Sequence, residues 1–255
     1  MTARAEKFFT FVGGTSQLFG QFLREVTRRP FYFHLLIQQI QSIGVRSLPL
    51  IFTVAASVGM VMALQFGIGL EKFGGKLYIP KLVSVSIIRE LGPIFASLMF
   101  AARVGAGITS EVASMVVTQQ IDAIRALGTS PIKRIVVPRI LACLICLPLL
   151  SIIANSVGVL GGMLVGTFDL RLDPGFYWQK IFVSVILADY LSGFGKTFFF
   201  AMFVALPSCY YGLNVERGTQ GVGIATTRAV VTSSILILVG DYFLTKFFWI
   251  FESWK

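Results

Sequence analysis

The sequence predicts an all-α integral membrane protein, in which N-terminal interfacial amphipathic helices precede about five transmembrane helices with a short cytoplasmic coupling helix. Two observations predict this class. The 255-residue chain is 55% hydrophobic and only 13% charged, which leaves too little polar surface to cover a soluble globule. Several apolar runs also reach the roughly 20 residues that cross about 30 Å of hydrocarbon as a helix, and none shows the alternation typical of a membrane barrel.

The N-terminal segment, residues 1–47, contains two amphipathic stretches, at 5–29 and 33–43, and Arg28-Arg29-Pro30 breaks the first of them. We expect both to lie along the membrane surface; the alternative is that they pack on the flank of the protein itself. No cleavable signal peptide is evident, because charged residues precede the first long apolar run. The apolar face of the first stretch comprises Phe8, Phe11, Val12, Phe19, Phe22, Leu23 and Val26.

The remainder, residues 48–255, is predicted to form the transmembrane domain. In the second span, Gly92 and Pro93 favour a kink after a charged pair. The fourth span is too long for a simple crossing, which indicates a tilted or broken helix. A loop over 169–180 precedes it, with a turn at Asp173-Pro174-Gly175. The predicted spans are 48–70, 82–102, 140–167, 181–213 and 229–250.

The third predicted span carries Gly158, Gly162 and Gly166 at four-residue spacing. Small residues at this spacing lie on one helical face and allow a neighbouring helix to approach closely. We therefore predict that this face is a helix-packing seam.

Lysine and arginine residues favour one orientation of the five spans. A cytoplasmic N-terminus places most of them on the inner side, in agreement with the positive-inside rule, and puts residues 103–139 in the cytoplasm. The inner set is Arg4, Lys7, Arg24, Arg28, Arg29, Arg46, Arg125, Lys133, Arg134, Arg139, Arg217 and Arg228, and the outer set is Lys72, Lys76, Lys81, Arg171, Lys180, Lys246 and Lys255.

Residues 103–139 form the one long stretch that is not simply apolar, and we predict that they are a cytoplasmic docking surface. One helix continues from the second span through Glu111, and a second, shorter helix is expected from Thr118 to Leu127, where Gly128 stops it. Asp122 and Arg125 have the i, i+3 spacing of a surface ion pair. The alternative is a solvated loop helix without a partner.

Five ionisable residues fall within the predicted spans, where each costs about 2.5 to 3.5 kcal/mol on insertion scales and usually faces a cavity or a partner. They are Arg89, Glu90, Asp189, Lys196 and Asp241. The cations of Arg89 and Lys196 suit a lipid phosphate, and Glu90 suits an amine or can orient Arg89. Neighbouring residues on a helix point about 100° apart, so we expect only one of Arg89 and Glu90 to line a cavity.

The alternative is that these residues form structural ion pairs, for instance Asp189 with Lys196. Acyl chains need only apolar walls, which Leu70, Leu77 and Tyr78 can supply. Cys143 and Cys146 have C-x-x-C spacing but lack a second pair or a histidine cluster, so we interpret them as buried thiols and predict no metal site.

Long segments of the chain resemble the MlaE/YrbE family of ABC-transporter permeases. They are RELGPIFASLMFAARVGAGITSEVASMVVTQQIDAIRALGTSPIKRIVVPR, with SLPLIFTVAASVGMVMALQ before it and GVGIATTRAVVTSSILILVGDYFLT after it. The part beginning IDAIRALG looks like the coupling element of such permeases. The chain departs from the family pattern at Gln119, where glutamate is frequent. The expected ATPase-coupling residues are Glu111, Gln119, Asp122, Arg125, Gly128 and Pro131.

The resemblance implies a multi-pass homodimer of the bacterial inner membrane that moves phospholipid and helps maintain outer-membrane lipid asymmetry. A cytoplasmic ABC ATPase would use ATP and Mg to drive it, and a periplasmic MCE-domain lipid-binding protein would join it. A small cytoplasmic accessory subunit is a further candidate partner. The chain itself would bind no cofactor and catalyse no reaction.

The sequence also indicates that any ATP-hydrolysing site lies in another chain. A phosphate-binding loop needs G-x-x-x-x-G-K-[ST] after a strand, and before Gly195-Lys196-Thr197 the first glycine is replaced by Tyr190. The formal charge of +10 comes without a nucleic-acid motif, so we expect no nucleic acid. Two alternatives are a lipid-modifying membrane enzyme, for which clustered catalytic groups are lacking, and a self-sufficient proton-coupled secondary transporter using Asp189 and Asp241.

Overall fold

The structure is a computed structural model that describes residues 2–28, 32–216 and 218–253. Over these residues the ordered elements are helical and no strand is present. Five helical runs are long and apolar enough to cross a membrane, which confirms the predicted all-α membrane class. These runs are Phe33–Glu71, Lys76–Val117, Ile132–Phe168, Leu187–Leu213 and Gly218–Ile250.

The α-helices are numbered in chain order, and three π-helical segments and two 3-10 turns connect some of them. The α-helices are α1 Thr2–Val26, α2 Phe33–Ile43, α3 Leu48–Glu71, α4 Ile79–Ser86, α5 Gly92–Phe100, α6 Ala106–Val117, α7 Gln120–Ala126, α8 Val137–Phe168, α9 Pro174–Ser184, α10 Leu187–Leu213 and α11 Gly218–Ser253. The π-helical segments are Ile87–Leu91, Ala101–Gly105 and Ile132–Val136, and the 3-10 turns are Val45–Ser47 and Lys76–Tyr78.

The segment before the predicted fourth span is helical, and the prediction of a loop as far as Lys180 was wrong. Asp173 is the N-cap of α9, and its side chain accepts a hydrogen bond of 2.7 Å from the Phe176 backbone N–H. Pro174 occupies the first helical position, where its missing N–H is not needed. The helix ends at Ser184, and its C-cap residue Val185 has an extended backbone. The predicted span 181–213 is therefore broken at this point.

The chain divides into two compact units. Unit 1 comprises Met1–Val45, Phe100–Cys146 and Ala201–Leu236, and unit 2 comprises Arg46–Met99, Leu147–Phe200 and Ile237–Lys255. The predicted division into an interfacial segment, 1–47, and a transmembrane domain, 48–255, is drawn on a different criterion and stays a prediction.

In unit 1, α1 packs through part of its apolar face. Leu18 and Phe22 are buried, and the Phe11 ring lies 5.4 Å from the rings of Tyr210 and Tyr211. Phe19 and Leu23 remain exposed, so the helix keeps apolar surface that a membrane interface can cover.

Of the residues used in the sequence analysis, Met1, Arg29, Pro30, Arg217 and Lys255 lie outside the described residues, as do the side chains of Arg4, Lys7 and Phe8.

In unit 2, α8 packs tightly against α3 through small residues. A Cβ on Gly161 would lie 2.6 Å from the Ala56 carbonyl oxygen, and one on Gly162 would lie 2.6 Å from Val83 Cγ1. A Cβ on Gly158 would lie 3.1 Å from Ile87 Cγ2, and one on Gly166 would overlap the Tyr177 ring. All three glycines named in the sequence analysis therefore lie where a larger side chain would push neighbouring helices apart.

Tyr177 of α9 fills the gap that Gly166 leaves. It is fully buried in the apolar core of unit 2 with Ile79, Val83 and Val165. Burial raises the pKa of the Tyr177 phenol, so the side chain stays neutral and acts as a packing group.

Candidate functional site

Arg89 and Glu90 lie in the π-helical segment Ile87–Leu91 of unit 2. A π-helical turn holds more residues than an α-helical turn, so adjacent side chains diverge less in direction. Both residues line the same cavity, and the expectation that only one of them would do so was wrong. Single π-helical turns inside α-helices are frequent at functional sites.

Lys196, on α10, connects this segment to α11 within unit 2. Its ammonium is fully buried and donates hydrogen bonds to the Glu90 carboxylate, to Asp241 Oδ1 at 3.1 Å and to Thr245 Oγ1 at 2.6 Å. The Arg89 backbone oxygen lies 3.5 Å away. A single buried cation on α10 therefore binds groups from two other helical segments. Both of its carboxylate partners are partly accessible, Glu90 at 29% and Asp241 at 15%.

Arg89 pairs with Asp189, which lies in the first turn of α10. Arg89 Nη1 is 3.0 Å from Asp189 Oδ1, while Asp189 Oδ2 accepts a hydrogen bond of 3.3 Å from the Ile186 backbone N–H. The suggested pair between Asp189 and Lys196 is not formed, because each binds a partner on another helix. We call Arg89, Glu90, Asp189, Lys196, Asp241 and Thr245 the charged cluster.

The charged cluster borders a cavity of about 450 Å³, which is within the usual size range of small-molecule sites. Three of its ionisable members, Arg89, Glu90 and Asp241, reach the cavity surface, and Lys196 and Asp189 lie behind them. The cavity lining is Arg89, Glu90, Leu238, Asp241, Tyr242, Thr245, Lys246 and Trp249.

The remaining predicted substrate residues lie elsewhere in unit 2. Leu70 packs against the apolar core, while Leu77 and Tyr78 belong to the 3-10 turn Lys76–Tyr78 and are exposed. None of the three lines the cavity. Their proposed role as walls for acyl chains stays a prediction.

Sequence reasoning missed most of the contribution of α11 to this cavity. Asp241, Thr245 and Trp249 recur every four residues and so lie on one helical face, with Tyr242 and Lys246 beside them. This spacing around a membrane aspartate was a signal available in the sequence.

The predicted docking surface belongs to unit 1. The short helix α7 is seven residues long and is bounded by residues in the left-handed conformation at both ends, Gln119 with φ 59° and Gly128 with φ 72°. The expected surface pair is present, with Arg125 Nη1 3.0 Å from Asp122 Oδ1 and both side chains mostly exposed. The helix thus presents a compact, charged and accessible surface.

A second ion pair, between Glu111 and Arg139, connects the two ends of the segment that contains α7. Arg139 Nη2 lies 2.9 Å from Glu111 Oε2, and Arg139 Nη1 donates a hydrogen bond of 3.0 Å to the Ile135 carbonyl. Arg139 is buried and Glu111 is half exposed. The pair joins the middle of α6 to the start of α8. Pro131, which is half-buried, precedes the π-helical segment that leads into α8.

The chain is similar in sequence to known permeases. A model of the family Permease MlaE matches residues 36–247. A probable ABC transporter permease protein of Rickettsia conorii is 41% identical over 245 residues, which cover 96% of this chain and 95% of that protein. The intermembrane phospholipid transport system permease protein MlaE of Haemophilus influenzae is 35% identical over 240 residues, covering 93% of this chain and 92% of that protein. The chain therefore belongs to the MlaE permease family.

Proposed function

We propose that this chain is the membrane permease of an ABC-type phospholipid transport system in a bacterial inner membrane, where it serves outer-membrane lipid asymmetry. The observation that carries the proposal is the charged cluster, which membrane-length helices hold beside an open cavity. Ionisable groups at such positions are costly unless they serve a substrate path or bind one another. A phospholipid headgroup offers both a phosphate and polar substituents to these groups.

Arg89 and Glu90 make the first contact with the headgroup in this proposal, because both reach the cavity surface. A guanidinium can bind a phosphate through two hydrogen bonds. Lys196 has no exposed surface in this arrangement, so it acts on the substrate by holding Glu90 and Asp241 in place. Its own contact with a phosphate would require the cluster to rearrange.

A separate cytoplasmic ATPase supplies the energy, with ATP and Mg bound to that partner. Lys196, in the partial match to a phosphate-binding loop at Gly195-Lys196-Thr197, lies inside α10 and binds carboxylates. We assign α7 as the helix that the ATPase binds. It is short and exposed, and the Glu111–Arg139 ion pair connects the two ends of the segment that contains it. With the N-terminus in the cytoplasm, α7 lies on the same side of the membrane as the ATPase.

The permease functions as a homodimer that also joins a periplasmic MCE-domain lipid-binding protein. Two membrane runs are less buried than the other three. The buried share of the most apolar stretch is 28% in Phe33–Glu71 and 22% in Gly218–Ile250, against 44%, 72% and 56% in Lys76–Val117, Ile132–Phe168 and Leu187–Leu213. Their exposed apolar faces suit a second copy of the chain or lipid. A small cytoplasmic accessory subunit remains a further candidate partner.

Purification of the tagged full-length chain from its native membranes in mild detergent tests the assignment of α7. We expect an ABC ATPase to co-purify with the wild-type chain. The charge reversal Asp122→Lys should lower its recovery by about tenfold, which corresponds to about 1.4 kcal/mol of binding free energy. Because the Asp122 pair is exposed, membrane insertion and thermal stability should not change.

Lys180→Met on α9, an exposed lysine outside α7, serves as the control and should leave ATPase recovery unchanged. Equal ATPase recovery with wild type and Asp122→Lys would contradict the assignment of α7. If no ATPase is recovered and the purified chain moves lipid in response to a proton gradient, the protein is a secondary transporter instead.

A further inference from the structure

The charged cluster has one more acidic group than basic groups. Arg89 and Asp189 bind each other, whereas Lys196 is shared by two carboxylates, Glu90 and Asp241. One formal negative charge beside the cavity is therefore not balanced within the cluster. In a region of low dielectric such a charge attracts a cation strongly.

The positions of the two carboxylates allow a ligand to reach them. Asp241 uses Oδ1 to accept from Lys196, and Oδ2 has no hydrogen-bond donor among the residues that the structure describes. Glu90 and Asp241 both line the cavity. A carboxylate oxygen accepts hydrogen bonds only, so these groups select for a ligand that carries N–H or O–H donors and a positive charge.

The opposite charge is available a short distance along α11. Lys246 lines the same cavity and forms no ion pair within the described part of the chain. It lies five residues after Asp241, a rise of about 7.5 Å along the helix. The cavity wall therefore carries a carboxylate region around Asp241 and a cationic group at Lys246, with Trp249 beyond it.

We propose that this cavity selects phospholipids whose headgroup is zwitterionic and carries a primary ammonium, as in phosphatidylethanolamine. The ammonium donates hydrogen bonds to Asp241 and Glu90, and the phosphate binds Lys246 together with Arg89. Lys246 is thereby a substrate-binding residue in addition to those predicted from the sequence. The inference rests on the proposed function, because it assigns the headgroup class to the same site.

Other common headgroups pair less well with the charged groups that line the cavity. A trimethylammonium group, as in phosphatidylcholine, carries the positive charge but has no N–H to donate to Asp241. An uncharged polyol, as in phosphatidylglycerol, leaves the negative charge of the cluster unbalanced and adds the charge of its own phosphate. The aromatic residues Tyr242 and Trp249 can attract any ammonium, so the carboxylates, not the rings, distinguish a primary from a quaternary amine.

Native mass spectrometry of the full-length permease tests this selectivity. The protein is exchanged into mixed micelles that contain equal amounts of phosphatidylethanolamine, phosphatidylcholine and phosphatidylglycerol, and the bound lipids are counted. We expect phosphatidylethanolamine to exceed each of the others by about tenfold. Asp241→Asn should remove most of this preference while keeping an acceptor for Lys196.

Lys246→Met should lower occupancy by all three lipids several-fold and leave their ratios unchanged, because it removes a phosphate ligand without breaking an observed ion pair. Lys81→Met on α4, an exposed lysine outside the cavity, should change neither occupancy nor ratios. Equal binding of the three lipids, still weakened by Lys246→Met, would overturn the amine selectivity but leave the headgroup site standing. Full occupancy in both Lys246→Met and Arg89→Ala would overturn the site itself and, with it, this part of the proposed function.

Discussion

Lys196 holds the charged cluster together. Its ammonium is fully buried, and Glu90, Asp241 and Thr245 accept its hydrogen bonds. Burying an ion pair contributes little net stability, because desolvation offsets most of the Coulomb attraction, whereas removing one partner leaves the other charges uncompensated. The stability effect of Lys196 is therefore expected to appear when it is deleted alone.

Lys196→Met should lower the free energy of unfolding by about 2 to 4 kcal/mol, since two carboxylates then repel each other in a partly buried site. Thermal unfolding of the purified protein in detergent measures the loss. The triple variant Lys196→Met, Glu90→Gln, Asp241→Asn removes the unpaired charges and should recover at least half of it. A single variant as stable as wild type, or a triple variant no more stable than the single one, would contradict this role.

At this scale the sequence identified the ionisable residues of the membrane but not their partners. The helix-insertion cost marks Arg89, Glu90, Asp189, Lys196 and Asp241 without any structure. The partner of each lies on another helix, and helix packing decides that choice. The π-helical segment at Ile87–Leu91 also changes side-chain directions in a way that a regular 100° rotation cannot reproduce.

The helices α6 and α7 form the element on which the coupling proposal depends. Glu111, in the middle of α6, binds the buried Arg139 at the start of α8. A charge-assisted pair at this position restrains the segment between them, 112–138, at its two ends. Force applied to α7 should then displace α6 and α8 together rather than unwind the segment.

Glu111→Ala tests this restraint. Arg139 would keep its bond to the Ile135 carbonyl but lose its carboxylate, at a cost of about 1 to 3 kcal/mol. We expect the ATPase to remain bound while phospholipid moved per ATP hydrolysed falls several-fold, measured as coupled hydrolysis and transport in proteoliposomes. Glu71→Gln, which alters an exposed pair with Lys76 in unit 2, is the matched control and should leave that ratio unchanged. An unaltered ratio in Glu111→Ala would show that the pair does not couple.

The sequence predicts a helix boundary where a residue favours one local conformation. Gly128 was expected to stop the short helix, and it adopts a positive φ that glycine tolerates without strain. At Asp173-Pro174 the same residues that favour a turn also favour an N-cap and a first helical position. These residues form a helix rather than a turn because Tyr177, which follows them, packs into the core of unit 2.

On the scale of the whole molecule, composition and apolar run length were enough to predict the membrane class and the number of membrane-length helices. These properties depend on the solvent that surrounds the helices rather than on particular contacts. The arrangement of α3, α8 and α9 in unit 2 was only partly visible, since the glycines on α8 predict close packing but not the identity of the neighbouring helix. The cavity was not predictable, because it needs side chains from both the second and the last membrane runs.

In the proposed function, this chain forms a phospholipid path that a separate ATPase drives. The most direct test reconstitutes the purified permease with its co-purifying ATPase into liposomes and follows labelled phosphatidylethanolamine. Movement should require both ATP and the ATPase, and Arg89→Ala should slow it by about tenfold, in keeping with the loss of charge-assisted hydrogen bonds. Lys180→Met should move lipid at the wild-type rate. Lipid movement by the permease alone without ATP, or an unchanged rate in Arg89→Ala, would contradict the proposed function.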